Sequence, residues 1–214
     1  MVLQSSYGTV DATFDIISDT EFAVFHSIRS TSQVTADDQK SRITTGTVGG
    51  AYNNDITFSS PYLVQNAYAG SGAVGLTIWS AVHQRLLITW SGNQVTRGAT
   101  FFVFSYNGNG QWTGGPAFTD NILMNRSRWE FHRAYEDPAT GKIAFMYHNT
   151  SDDVKIMFLD INTGNNSVTP GYQNSSMVQG SNLEPPTIFE NLVSGGYFAV
   201  TNNGGLVIIN YNSR

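Results

Sequence analysis

Cysteine is absent from the 214 residues, and this one absence excludes a disulfide framework, thiol catalysis and thiolate metal sites together. Charge is scarce too. Asp, Glu, Lys and Arg make up 13% of the chain, about half of the roughly 25% of an ordinary soluble domain. The polar surface comes instead from Gly, Asn, Ser and Thr. Neutral polar surfaces suit secreted proteins, lectins and large assemblies whose subunits approach one another closely. The cations are scattered, with only Arg126, Arg128 and Arg133 close together, and the formal net charge is −5. Binding nucleic acid takes a basic stripe that neutralises phosphates, so no nucleic-acid partner is expected. No run approaches the ~20 apolar residues that span a bilayer, so membrane insertion is not expected either. Met1 to Tyr7 lacks the basic and apolar segments of a secretion signal.

Helical periodicity is also missing: no window of a dozen residues places apolar side chains at three-and-four spacing. Short β-favouring runs take its place. Phe22 to His26, Leu86 to Trp90, Ile143 to Tyr147 and Tyr197 to Thr201 are apolar on both alternating faces, which predicts sheets covered from both sides. Each follows another strand and a tight turn: Thr13 to Ile17, Leu76 to Ser80, Glu130 to Glu136 and Thr187 to Leu192. The turn Asp137-Pro138-Ala139-Thr140-Gly141 shows the chemistry, since Pro presets φ and Gly accepts the left-handed position that closes a hairpin. A third strand follows each time, at Ser41 to Val48, Ala99 to Tyr106, Val154 to Ile161 and Leu206 to Asn210. After the first three comes a short outer element ending near Pro61, Pro116 or Pro170, a placement suited to an edge strand where a missing N–H does no harm.

Aligned at Phe22, Leu86, Ile143 and Tyr197, the units recur at about 54–64 residues, which reads as the four-stranded blades of a small β-propeller. The expected fold is therefore all-β, a single domain over residues 1–214, with about four antiparallel blades near 9–64, 74–119, 129–172 and 187–214. The last lacks its outer strand, and residues 1–8, with Val2 to Ser5, are the candidate to complete it and close the ring. Deleting residues 1–8 should then lower the melting temperature strongly; an unchanged value would count against closure. The competing architecture is a two-sheet β-sandwich.

Few residues announce chemistry. His26, His83, His132 and His148 show no metal-binding spacing and read as structural or solvent-facing; no metal and no cofactor is expected. The densest polar stretch runs from Arg128 to Asp137. Alternation puts Glu130 and His132 on one face of a first strand, making them the candidate acid/base or ion site of a central channel, against the plainer reading of a buried network between blades. Tyr52, Tyr62, Tyr106 and Trp112 read as loop aromatics able to stack on sugar rings, or else as caps on the core.

Ser105-Tyr106-Asn107-Gly108-Asn109-Gly110-Gln111-Trp112 resembles the Asp-box turn of sialidase-like propellers, with Asn107 in place of the Asp and the Gly displaced by one position. In that family the box is structural. The rhythm of a first strand, a turn such as Asp137-Pro138-Ala139-Thr140-Gly141-Lys142, the apolar strand Ile143 to Tyr147, a third strand and an Asn/Gly-rich return resembles the propeller-like repeats of bacteriophage tail-fibre and other virion surface proteins. That resemblance implies a non-enzymatic structural component of a virion (tail fibre, tail or capsid surface), assembled in a host cytoplasm and exposed on the particle. Its implied partners are other virion proteins, copies of itself and a host surface glycan. A free-standing propeller lectin and a sialidase-like glycoside hydrolase are the alternatives.

Overall fold

The computed structural model describes residues 10–28, 40–50, 55–68, 75–91, 99–120, 131–148, 154–173, 187–189, 197–202 and 205–210. Every regular element among them is a β-strand, arranged as four antiparallel sheets in chain order. The first sheet holds β1 (Val10–Ile16), β2 (Glu21–Ile28), β3 (Lys40–Gly49), β4 (Asp55–Phe58) and β5 (Tyr62–Tyr68). The second holds β6 (Gly75–Ser80), β7 (Arg85–Ser91), β8 (Ala99–Tyr106), β9 (Trp112–Gly114) and β10 (Phe118–Asp120). The third holds β11 (Phe131–Glu136), β12 (Ile143–His148), β13 (Val154–Asn162) and β14 (Ser167–Gln173). The fourth is β15 (Thr187–Phe189), β16 (Tyr197–Asn202) and β17 (Gly205–Asn210). Val2 to Ser5, the candidate closing strand, lies outside the described residues.

The hairpins form where turn chemistry allows. Gly141 takes φ 72° and donates its N–H to Asp137 O at 2.8 Å, while Asp137 N–H reaches Lys142 O at 2.8 Å. The same turn lies against its neighbour in the second sheet, because a Cβ at Gly141 would overlap the His83 ring.

The outer strands depart from the expectation that they end at proline. Chain pairing resumes beyond it: β4 and β5 both pair with β3, and β9 and β10 both pair with β8. In the third sheet β14 runs through Pro170, which stands opposite Leu159. At each place the register slips by one residue. Gly46↔Phe58 gives way to Ile43↔Tyr62, Phe104↔Gly114 to Phe101↔Phe118, and Leu159↔Pro170 to Met157↔Gln173. Proline lacks only its own N–H, and a one-residue bulge absorbs that loss without ending the strand.

The slip has a packing role. Its first residue is Ser59 in the first sheet and Gly115 in the second; a Cβ on Gly110 would overlap Ser59, and one on Gly115 would overlap the Asn165 and Asn166 carbonyls. The turn between third and outer strand of one sheet thus lies against the slip of the sheet before it. Gly115→Val should cost about 1–3 kcal/mol by overpacking against backbone that cannot swing aside. Gly49→Ala, where a Cβ meets nothing within 4 Å, should be near neutral. Guanidinium midpoints of the two variants check this, and equal midpoints would refute it.

The second sheet is covered on both faces, as its alternation predicts. Leu86, Ile88, Phe102 and Phe104 meet Ala23, Phe25, Ile43 and Val64 of the first sheet. Leu87, Ile78, Phe101 and Val103 meet Ile143, Phe145, Met157 and Leu159 of the third. Inner strands stand side by side in chain order, β1 beside β6, β6 beside β11 and β11 beside β15.

A one-residue shift of the last unit brings Phe198-Ala199-Val200 onto Phe22-Ala23-Val24. Val200 faces Ile188 and Phe198 faces Ile209, as Val24 faces Phe14 and Phe22 faces Gly46. On that alignment Phe198, one place beyond the Tyr197 that spacing selects, is the counterpart of Phe22, Leu86 and Ile143. The sequence agrees, since Phe189-Glu190 then matches Tyr135-Glu136, and Tyr211-Asn212 matches Tyr106-Asn107.

Candidate functional site

Three of the four aromatic candidates come together where the first and second sheets meet, in one cluster around Phe104. Tyr106 ends β8 and Trp112 opens β9, directly opposite it. The intervening turn needs left-handed backbone at Gly108 (φ 82°), Asn109 (φ 52°) and Gly110 (φ 73°), conformations that Gly and Asn tolerate best. The turn closes with Asn107 N–H to Gln111 O and Gln111 N–H to Gly108 O, both 3.0 Å.

Trp112 is not a loop aromatic with a free face; of the two readings its sequence allows, it is the cap on the core. It is only 5% exposed, its ring centroid lies 4.5 Å from that of Tyr106, and its Nε1 donates to Thr45 Oγ1 at 3.1 Å. A strand position opposite Tyr106 aims the indole at the first sheet, which leaves no face for a sugar. Tyr106 is half-buried; its hydroxyl donates to Glu21 Oε1 at 2.7 Å and accepts the Gly110 N–H at 3.2 Å. Burial pushes this phenol above its ordinary value, with the Glu21 carboxylate adding to the effect and the Gly110 N–H opposing it. Tyr62, at the start of β5, is half-buried with its ring edge toward Phe104 at 5.9 Å. Tyr52 and Glu130 lie outside the described residues. His132 stands at the bulge of β11 between Phe131 and Arg133, and its side chain is likewise not among those described.

The polar side chains of the inner strands mostly span the junctions. Between first and second sheets, the Thr13 and Thr77 hydroxyls lie 2.6 Å apart, and Trp79 N–H donates to Asp15 Oδ2 at 2.6 Å. Between second and third, Glu136 accepts from the Ser80 hydroxyl and, at 2.7 Å, from Ala81 N–H. Arg85 Nε donates to Asn166 Oδ1 at 2.7 Å, and its Nη2 to Thr163 O at 3.1 Å. Hydrogen bonds to charged groups are worth more than neutral ones, so these three charged residues hold neighbouring sheets in register. Among the described residues no group of three or more His, Asp or Glu could hold a metal ion, and no helix is long and apolar enough to cross a membrane.

His26 is buried, with Nε2 2.9 Å from Thr44 Oγ1 and Nδ1 without a partner. Burial lowers its pKa below 6.5, and the Arg42 guanidinium acts in the same direction. The unfolded chain binds the proton more readily, so stability from the neutral ring is full above about pH 6.5 and is lost as pH falls toward the lower folded value. The guanidinium midpoint should therefore drop between about pH 7.5 and pH 5, and His26→Gln should flatten that drop. An identical pH profile for the variant would count against it.

A feature that sequence reasoning passed over is a groove of about 430 Å³ on the outer face of the first sheet, lined by none of Tyr62, Tyr106 and Trp112. Ala12, Phe14, Ile16, Phe22, Val24 and Val48 line it. Its signal was present in the apolar alternation of Phe14, Ile16, Phe22 and Val24.

No protein-family model matches the chain, and no curated protein or solved structure matches it either.

Proposed function

We propose that the chain is a structural, non-enzymatic component of a bacteriophage virion, built as a small β-propeller of about four blades and carried at the particle surface. The observation that carries this reading is the repeated junction. Asp15, Glu21, Arg85 and Glu136 are each engaged across a sheet boundary, so charged groups that an enzyme would gather at a site are spent on stacking. The order of inner strands, β1 to β6 to β11 to β15, supports blades around an axis over a two-sheet sandwich, in which a middle sheet covered on both faces has no place. The resemblance to tail-fibre repeats and the weakly charged surface supply the virion part of the reading. Its partners are other virion proteins and a host surface glycan, with Tyr52, Tyr62 and Tyr106 as the aromatic candidates left after Trp112.

The test is an antibody raised to this chain and applied to density-purified particles from infected cells. Signal that co-sediments with infectivity is the expected result. Signal found only in the soluble fraction would reject the virion reading. In that case, binding at several equivalent sites on a glycan array would point to a lectin, and reducing-sugar release abolished by Glu130→Gln to a hydrolase.

A further inference from the structure

The outer face of the first sheet carries large apolar side chains in the open: Phe14 is 68% exposed, Ile16 63%, Ile56 53% and Phe58 40%. Three positions of this face, Phe22, Val24 and Ile56, have counterparts that are covered in the next two sheets. Register makes Phe22 equivalent to Leu86 and Ile143, Val24 to Ile88 and Phe145, and Ile56 to Trp112 and Val168. All six counterparts in the second and third sheets are buried against the sheet before them. The open face therefore has the form of a seat for a preceding sheet, and contiguous apolar surface of this kind marks an interaction site.

We propose that its occupant is the fourth sheet of the same chain, docked so that Thr187 stands against Phe14. This rests on the propeller reading. The face that covers the second sheet is built on Ala23, Phe25 and Ile43. Register gives the fourth sheet Ala199, Thr201 and Leu206 at those positions, two apolar residues with a β-branched threonine in the place of Phe25. The first strands of the first two sheets meet by a rung in which Thr13 of β1 touches Thr77 of β6. Thr77 is the counterpart of Phe14, and Thr187 the counterpart of Thr13, so the same rung at the remaining boundary is Thr187 with Phe14. β1 and β15 are the ends of the row of inner strands, each flanked by one neighbour in that order. Tethering decides between this sheet and a second copy. A covalently linked partner acts at an effective concentration of the order of mM, about a thousandfold above a free copy in a μM solution.

The chain has no cysteine, so an engineered pair would contain its only thiols. Phe14→Cys with Thr187→Cys should close an intramolecular disulfide under mild oxidation, and the product should keep the mass of one 23.4 kDa chain. Thr13→Cys with Thr77→Cys and Leu76→Cys with Ala134→Cys are the controls along the row. If both controls close and the test pair does not, or closes only between chains, the docking is wrong while the blade order stands. If the controls fail, the propeller reading falls and the docking with it. As a second measurement, Phe14→Glu with Ile16→Glu should lower the melting temperature of the monomer by roughly 5–10 °C, since charges would enter a covered face. An unchanged melting temperature would mean that the face is open in solution and would overturn the proposal.

Discussion

Phe145→Ala should destabilise the chain by about 3–5 kcal/mol, the range for truncating a fully buried phenylalanine. For a chain of this size that corresponds to roughly 6–20 °C in melting temperature. Phe145 sits mid-strand on β12, paired with Ala134 on one side and Met157 on the other, and it has no exposure. Its ring meets Phe101 of the second sheet edge-on, with centroids 5.4 Å apart and planes at 81°. Two hydrogen-bonded neighbours fix the backbone beneath it, and Phe101 is itself held by Phe118 at 6.0 Å. The vacated volume therefore has little means of collapsing, which places the cost high in the range. Phe145→Leu keeps most of the volume and should cost about 1–1.5 kcal/mol. Equilibrium guanidinium unfolding at constant m-value distinguishes the two. A loss under 1 kcal/mol for the alanine variant would mean that the second and third sheets are not packed through this ring.

The apolar half of this architecture was legible because pleated strands alternate with a period of two. Leu86-Leu87-Ile88 has no polar face, and a strand with no polar face must be covered twice; the structure sends Leu86 and Ile88 to one neighbour and Leu87 to the other. The outer strands were only half legible. Pro61, Pro116 and Pro170 read as terminators because proline removes a donor, yet an edge strand has donors to spare, and the chain needs only a one-residue slip to continue. Polar residues on the inner strands were hardest to read. Asp15 and Glu136 have the chemistry of a catalytic carboxylate and lie on the first strands of their sheets. What decides their role is which backbone N–H stands opposite, here those of Trp79 and Ala81, and that is a property of how sheets stack rather than of any local pattern. In the last unit, spacing selects Tyr197, the first residue of β16, whereas the likeness of Phe198-Ala199-Val200 to Phe22-Ala23-Val24 selects Phe198.

Trp112→Ala should be as damaging as Phe145→Ala, about 3–5 kcal/mol, and the shape of its effect separates a core indole from a sugar platform. Gln111 and Thr113 flank it and glycines surround it, so in sequence it has the look of a loop aromatic. Its burial arises from a single fact of register: facing Tyr106 across β8 and β9, it is directed onto the first sheet, where Thr45 accepts its N–H. Truncation removes a large apolar surface, the ring contact with Tyr106 and that hydrogen bond at once. Trp112→Phe keeps the apolar contact but drops the donor, and leaves the buried Thr45 hydroxyl one partner short, which should cost about 1–3 kcal/mol. A platform residue would behave in the opposite way. On an exposed surface, Trp→Ala changes stability by no more than about 0.5 kcal/mol and abolishes ligand binding, while Trp→Phe retains much of both. Thermal unfolding of the three proteins, with no ligand present, therefore settles the role of this residue. A ranking of wild type above Trp112→Phe above Trp112→Ala, with gaps of several degrees, is expected, and three coincident curves would return Trp112 to the surface.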